Sequence, residues 1–202
     1  MLPDVDSAVS YARTRLDTEL SPHLHYHRAA HTVDDVVPAV ERLAEGEEIR
    51  GRNRALLVTA AWFHDLGFVE RADGHELIGV GIALAVLPAL GYDDTDLHTL
   101  RGLILATTVP QRPTTMLERL LCDADLDVLG RADFFERNDA LRSELAEAGM
   151  STTTARWYRT QADFVGNHRY FTATARHTRD AGKAANWREL LRRADVAEGQ
   201  TR

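Results

Sequence analysis

Two polar side chains, His64 and Asp65, close the run ALLVTAAWFHDL, which is otherwise apolar nearly all round. A carboxylate carried into an apolar interior without a partner costs several kcal/mol, so something must compensate it. A divalent cation does so economically, because neutral imidazole nitrogen and carboxylate oxygen are both good ligands for borderline metals. Neighbouring positions on a helix lie about 100° apart, so the pair can share one ion only from the edge of its buried face, with other helices completing the shell. Upstream, His31 stands at a helix entrance; downstream, LLCDADLDVLG offers Asp125, with Asp123 and Asp127 as competitors on either side. His31 and Asp125 can supply the third and fourth ligands, in the order His, His-Asp, Asp.

The elements that must position these residues read as helices throughout, since alternating runs rich in Val, Ile and Thr are missing. A first helix is expected from about Val5 to Leu20, stopped at Ser21-Pro22. A loop then carries PHLHYHRAAHT, and a second helix starts near Thr32, with its hydroxyl or the carboxylates of Asp34 and Asp35 satisfying free N–H groups. The stretch from about Asn53 to Leu66 is the helix buried in the middle of a bundle. Leu77, Val80, Leu84 and Leu87 form one apolar stripe, Leu97, Leu100, Leu103 and Ile104 another, with Gly91 as the stop between them. After the polar loop TTVPQRPTT, a further stripe (Leu117, Leu120, Leu121, Ala124, Val128) runs beside Asp125. From Ala132 onward two or three more helices follow, broken at GMSTTT, with a frayed charged tail after Val196.

Taken in order, YHRAAHTVDDV, AAWFHDLGF, GHELIGVGIA, ILATTVP and LCDADLDVLG resemble the motifs of the HD-domain phosphohydrolases, a superfamily of alarmone hydrolases, nucleotidases and cyclic-nucleotide phosphodiesterases. The similarity spans about His23 to Gly130, and HRYFTATAR near His168 is similar to the tail of a bacterial HD subfamily. The resemblance implies an all-α HD-domain helical bundle with a C-terminal helical extension: one domain over 1–202, with a core of about 23–130 and further helices over about 131–196. It implies His31, His64, Asp65 and Asp125 as ligands, the Ala-Asp-Leu match selecting Asp125, and one divalent ion per chain (Mn, Fe, Co, Ni, Zn or Mg). Such an ion lowers the pKa of bound water and neutralises charge developing on a phosphate. Asp65 is then the natural orienting or basic group. His75 stands where two-metal members carry an additional His, but the following helix reads LILATTVP, with Thr107 and Thr108 where those members tend to carry another. One ion is therefore expected, with His75 as a catalytic group, a substrate contact or a ligand of a second ion. His27 and Arg28, close to His31, and the distant Arg169 are candidate phosphate contacts; Arg112 could serve similarly. The expected activity is hydrolysis of a phosphomonoester or phosphodiester, of a nucleotide or a related small metabolite. Two other readings are a nucleotide-binding sensor without turnover and a di-iron oxygenase, the latter needing more His than this set supplies.

Composition bounds these readings. With 202 residues, 44% hydrophobic and 27% charged, the chain has the balance of a globular protein able to bury a core. A formal net charge of -7 argues against a general nucleic-acid partner, which would need clustered Lys and Arg. The single cysteine, Cys122, excludes an internal disulfide, and MLPDVDSAVS has neither a basic n-region nor an apolar h-region, so a cytoplasmic location is expected. No run approaches the roughly 18 apolar residues of a membrane span. A homo-oligomer is left open. Trp62 and Trp157 read as core, and Tyr170 and Phe171 as core or surface packing.

Overall fold

The apolar run does become a helix with no free face. Seven residues of α3 (Gly51–Phe63) are buried, from Leu56 to Phe63 with only Val58 less enclosed. The computed structural model describes residues 3–200, and among them there are nine α-helices and no strand, an all-α bundle. The helices gather into two compact units, Met1–Asp125 and Leu126–Arg202. No described helix is long and apolar enough to cross a membrane.

In the first unit α3 packs against α1 (Val5–Glu19), α2 (Val37–Gly46), α4 (His75–Val86), α5 (Asp94–Ala106) and α6 (Met116–Asp125). Caps set where these helices begin. Asp4 accepts from Ser7 N at 3.0 Å, and Asp93 and Asp96 exchange side-chain and backbone bonds in a capping box at the start of α5. Arg52, in the first turn of α3, donates to the buried Asp96 carboxylate at 2.6 and 2.5 Å, tying two helix starts together.

Two expectations are corrected here. The second helix opens as a π-helical turn, His31–Val36, whose N-cap position is Ala30, in helical geometry and without a side-chain cap bond. His31, Thr32 and Asp35 are buried in this wider turn, their polar groups facing inward. The stripe expected along α4 is only in part its packing face: Val80 and Leu87 are buried, whereas Leu77 and Leu84 are 65% and 43% exposed. The helix docks through Gly79, Val80, Ile82 and Ala83. A Cβ on Gly79 would lie 2.8 Å from the Phe63 carbonyl oxygen, and one on Gly67, in the 3-10 turn Leu66–Val69, 1.9 Å from that of His75. Backbone approaches backbone there, and a stripe read from large apolar residues misses the small ones that share the face with Val80 and Ile82.

The second unit holds α7 (Phe134–Glu147), α8 (Thr154–Asn167) and α9 (Ala173–Gly199). Thr153 and Thr172 cap α8 and α9. The 3-10 turn Asp127–Gly130 is clamped by α9: Arg179 donates to both Asp127 carboxylate oxygens at 2.7 and 2.9 Å, and Asn186 to the carbonyls of Leu129 and Arg131 at 2.9 Å. The HRYFTATAR segment serves the same contact, since the buried Tyr170 hydroxyl donates to Leu126 O at 3.2 Å. Trp157 is buried as expected, its indole N–H bonded to Asn138 Oδ1 at 2.7 Å. Of the tail expected to fray after Val196, the part up to Gly199 continues α9, with Arg159 reaching Asp195 and Glu198 at 2.9 and 3.0 Å, and residues 201–202 lie outside the described ones.

Candidate metal centre

All four residues proposed as ligands lie in the first unit, and the fold brings them together. The π turn carries His31, the C-terminal end of α3 delivers His64 and Asp65, and the last residue of α6 is Asp125. One ligand atom each from His31, His64 and Asp65 lies within 4.8 Å of the others, all three residues being buried. Asp65 Oδ2 is 3.6 Å from His31 Nε2 and 3.3 Å from His64 Nε2. Asp125 Oδ1 faces the same two nitrogens at 3.4 and 3.7 Å. The competing Asp127 carboxylate is spent on Arg179, and Asp123 is fully buried.

The donor atoms fit a cation. His64 Nδ1 is 2.8 Å from the Ala61 carbonyl, which can only accept, so Nδ1 carries the proton and Nε2 keeps its lone pair. That Nε2 and Asp65 Oδ2 are buried without a hydrogen-bond partner, an arrangement a cation would relieve. His31 Nδ1 faces the Asp35 carboxylate at 3.7 Å, so its Nε2 is the atom turned toward Asp65 and Asp125. Electrostatics say the same. Burial alone would lower the His31 imidazole, but hydrogen bonding toward Asp125 and Asp35 and the charges of Asp65 and Asp125 push it up to about 10. His64 is likewise raised against burial, chiefly by the charge of Asp65. Burial would raise Asp65, yet His64, His75 and His27 hold it well below the usual carboxylate range. The cluster attracts positive charge, which protons can supply and a divalent ion can supply in their place.

Around this core, His75 Nδ1 donates to the Ala72 carbonyl at 3.1 Å and presents Nε2 to Asp65 Oδ1 at 3.3 Å. His75 also packs against Phe68 at a tilt, with ring centroids 4.1 Å apart, and His27 stacks on the same ring at 4.3 Å. His27 is 6.1 Å from His31 between ring centroids. Arg28 is exposed. Thr107 is buried with its hydroxyl donating to Ile104 O at 2.8 Å, so it serves its own helix. Arg169 belongs to the second unit, where one guanidinium nitrogen donates to the carbonyls of Gly166 and His168 at 2.5 and 2.7 Å. Sequence reasoning passed over Gln111, whose amide Nε2 lies 3.2 Å from Asp125 Oδ2. A neutral amide in a polar loop carries no chemical signature, and only its spatial neighbour identifies it. Phe68 was missed for a similar reason, as it reads as one more apolar residue.

No family model matches the chain, and no curated protein matches it. The solved structures do include a similar one: a predicted HD superfamily hydrolase from an uncultured Thermotogales bacterium, with a TM-score of 0.64 at 19% identity over 98% of this chain and 94% of that one. The chain has the HD-domain fold.

Proposed function

We propose that this chain is a metal-dependent phosphohydrolase acting on a small phosphorylated molecule, a nucleotide or a related metabolite, at the His31, His64, Asp65 and Asp125 cluster. The observation that carries the reading is the pair of buried, unpartnered atoms, His64 Nε2 and Asp65 Oδ2, aimed with His31 and Asp125 at one point. The HD-domain fold is consistent with it. When bound, one divalent ion would polarise a phosphate oxygen and acidify water. The protein's own groups do the rest. Asp65 offers one oxygen to the cluster and the other to His75, so it is placed both to hold the ion and to orient a nucleophilic water. His75, fixed through Nδ1 to Ala72, presents Nε2 to that carboxylate and is the group positioned to take up or pass on a proton there. His27, stacked on Phe68, and the exposed Arg28 are candidates to contact the phosphate.

The test is metal analysis joined to a panel of nucleoside mono-, di- and triphosphates, cyclic nucleotides and sugar phosphates. Wild-type protein should carry or require one divalent ion per chain and release phosphate or nucleotide from some member of the panel. His64→Ala and Asp65→Ala should lose both the ion and the turnover. Equal activity in metal-replete wild type and His64→Ala overturns the proposal. Tight nucleotide binding with no product replaces it with a sensor, and two irons per chain after aerobic purification with an oxidative activity replaces it with an oxygenase.

A further inference from the structure

The geometry points to Gln111 as a positioning residue for the metal centre: its side-chain amide holds one oxygen of Asp125 so that the other faces His31 and His64. The inference rests on the metal reading above and adds a residue to it. Gln111 Nε2 lies 3.2 Å from Asp125 Oδ2 and 3.5 Å from the Cys122 carbonyl. Both neighbours can only accept, so both N–H groups point at α6, and a flipped amide would set its oxygen against a carboxylate. With Oδ2 engaged, Oδ1 is the oxygen left 3.4 Å from His31 Nε2 and 3.7 Å from His64 Nε2. The orientation carries a cost, because Gln111 Oε1 is left buried with no donor.

The loop is itself anchored on the helix it serves. The Glu118 carboxylate accepts from Thr114 N at 2.6 Å, Thr114 Oγ1 at 2.9 Å and Thr115 N at 3.2 Å, while Thr115 Oγ1 accepts from Glu118 N at 3.2 Å. This reciprocal cap fixes the loop to the first turn of α6, and the Gln111 amide fixes it to the last. The buried Cys122 thiol donates to Ala106 O at 3.1 Å and pins α6 to the end of α5, from which the loop departs. Asp125 is the last residue of α6. A donor on Oδ2 fixes which of its oxygens turns to the imidazoles before an ion arrives, which is how groups behind a ligand raise metal affinity.

The experiment titrates Co(II) into the metal-free chain and reads the visible absorption bands, with the dissociation constant taken by competition against a chromophoric chelator. Gln111→Glu, which puts an acceptor where the donor was, should weaken Co(II) by about 10–100-fold and change the bands. Gln111→Met, of similar length but without the donor, should move both readouts the same way by a smaller factor, and stands in if the Glu variant does not fold by circular dichroism. Wild-type affinity and an unchanged spectrum in the folded variants, beside lost binding in Asp125→Ala, overturns the role of Gln111 alone. A wild-type chain that takes up no cobalt overturns the metal reading and this inference with it.

Discussion

A metal bound at His31, His64 and Asp65 would compete with protons for the same few atoms, and that competition is measurable. Imidazole binds a metal only in its neutral form, and His31 stands raised to about 10 in the metal-free cluster. An ion entering near pH 7 must therefore expel at least about one proton. Calorimetric titrations in buffers of different ionisation enthalpy should show this release, with affinity rising as pH increases from the ordinary imidazole value of about 6.5 toward 10; no release would mean that the ion binds elsewhere. The sign for stability is opposite. A raised imidazole stabilises the metal-free fold below about pH 6.5, and that contribution disappears as pH climbs through the folded value. A second residue-scale prediction concerns Asp127, nearly buried and held by Arg179 through two bonds. Asp127→Ala leaves a largely enclosed guanidinium unpaired, and should cost about 2–3 kcal/mol in urea unfolding, below the full value for a buried pair because Arg179 is 23% exposed.

Among the helices, α4 shows how small residues direct the site. His75 begins this helix, and its distance from Asp65 depends on how closely α4 approaches the turn that follows α3. Gly67 and Gly79 allow that approach. Gly67→Ala would drive a methyl to 1.9 Å from a backbone oxygen and should destabilise by more than about 3 kcal/mol, whereas Gly79→Ala, at 2.8 Å, should cost about 1–3 kcal/mol. Leu77→Ser and Leu84→Ser, on the exposed face, should shift the urea midpoint little, by less than about 0.5 kcal/mol. A large effect at the leucines and none at the glycines would reverse the assigned packing face. The π turn at His31 makes a related point: an ordinary capped start at Thr32 satisfies the same sequence cues, and whether His31 turns in or out depends on the helices it meets.

For the molecule as a whole, Cys122 reports the integrity of the first unit. Its thiol is fully buried, bonded to Ala106 O, and raised far above the usual thiol range by burial and by the nearby Asp125, Asp123 and Glu118. Labelling by a thiol reagent should be negligible in the native chain and complete in denaturant, and a saturating divalent ion should slow it under partly denaturing conditions; about 1,000 times the dissociation constant adds about 4 kcal/mol. Labelling of the native chain at the rate of a free thiol would contradict the packing of α6. The all-helical class, the buried α3 with its terminal His-Asp pair, and the order of the four candidate ligands were legible from residue types and their period, because helical periodicity and the cost of a buried carboxylate are local properties. The rest was decided by neighbours distant in the chain. The face α4 buries sets Gly79 and Ala83 beside Val80 and Ile82, and the glycine and alanine carry no hydrophobic signal. Asp125 and Asp127 are chemically identical in sequence, yet one faces two imidazoles and the other an arginine 52 positions away. Gln111 acquires a role only because a loop folds back onto α6. The buried His-Asp pair calls for compensating positive charge by its own chemistry; which side chains gather around it is a matter of distances that only the packed helices set.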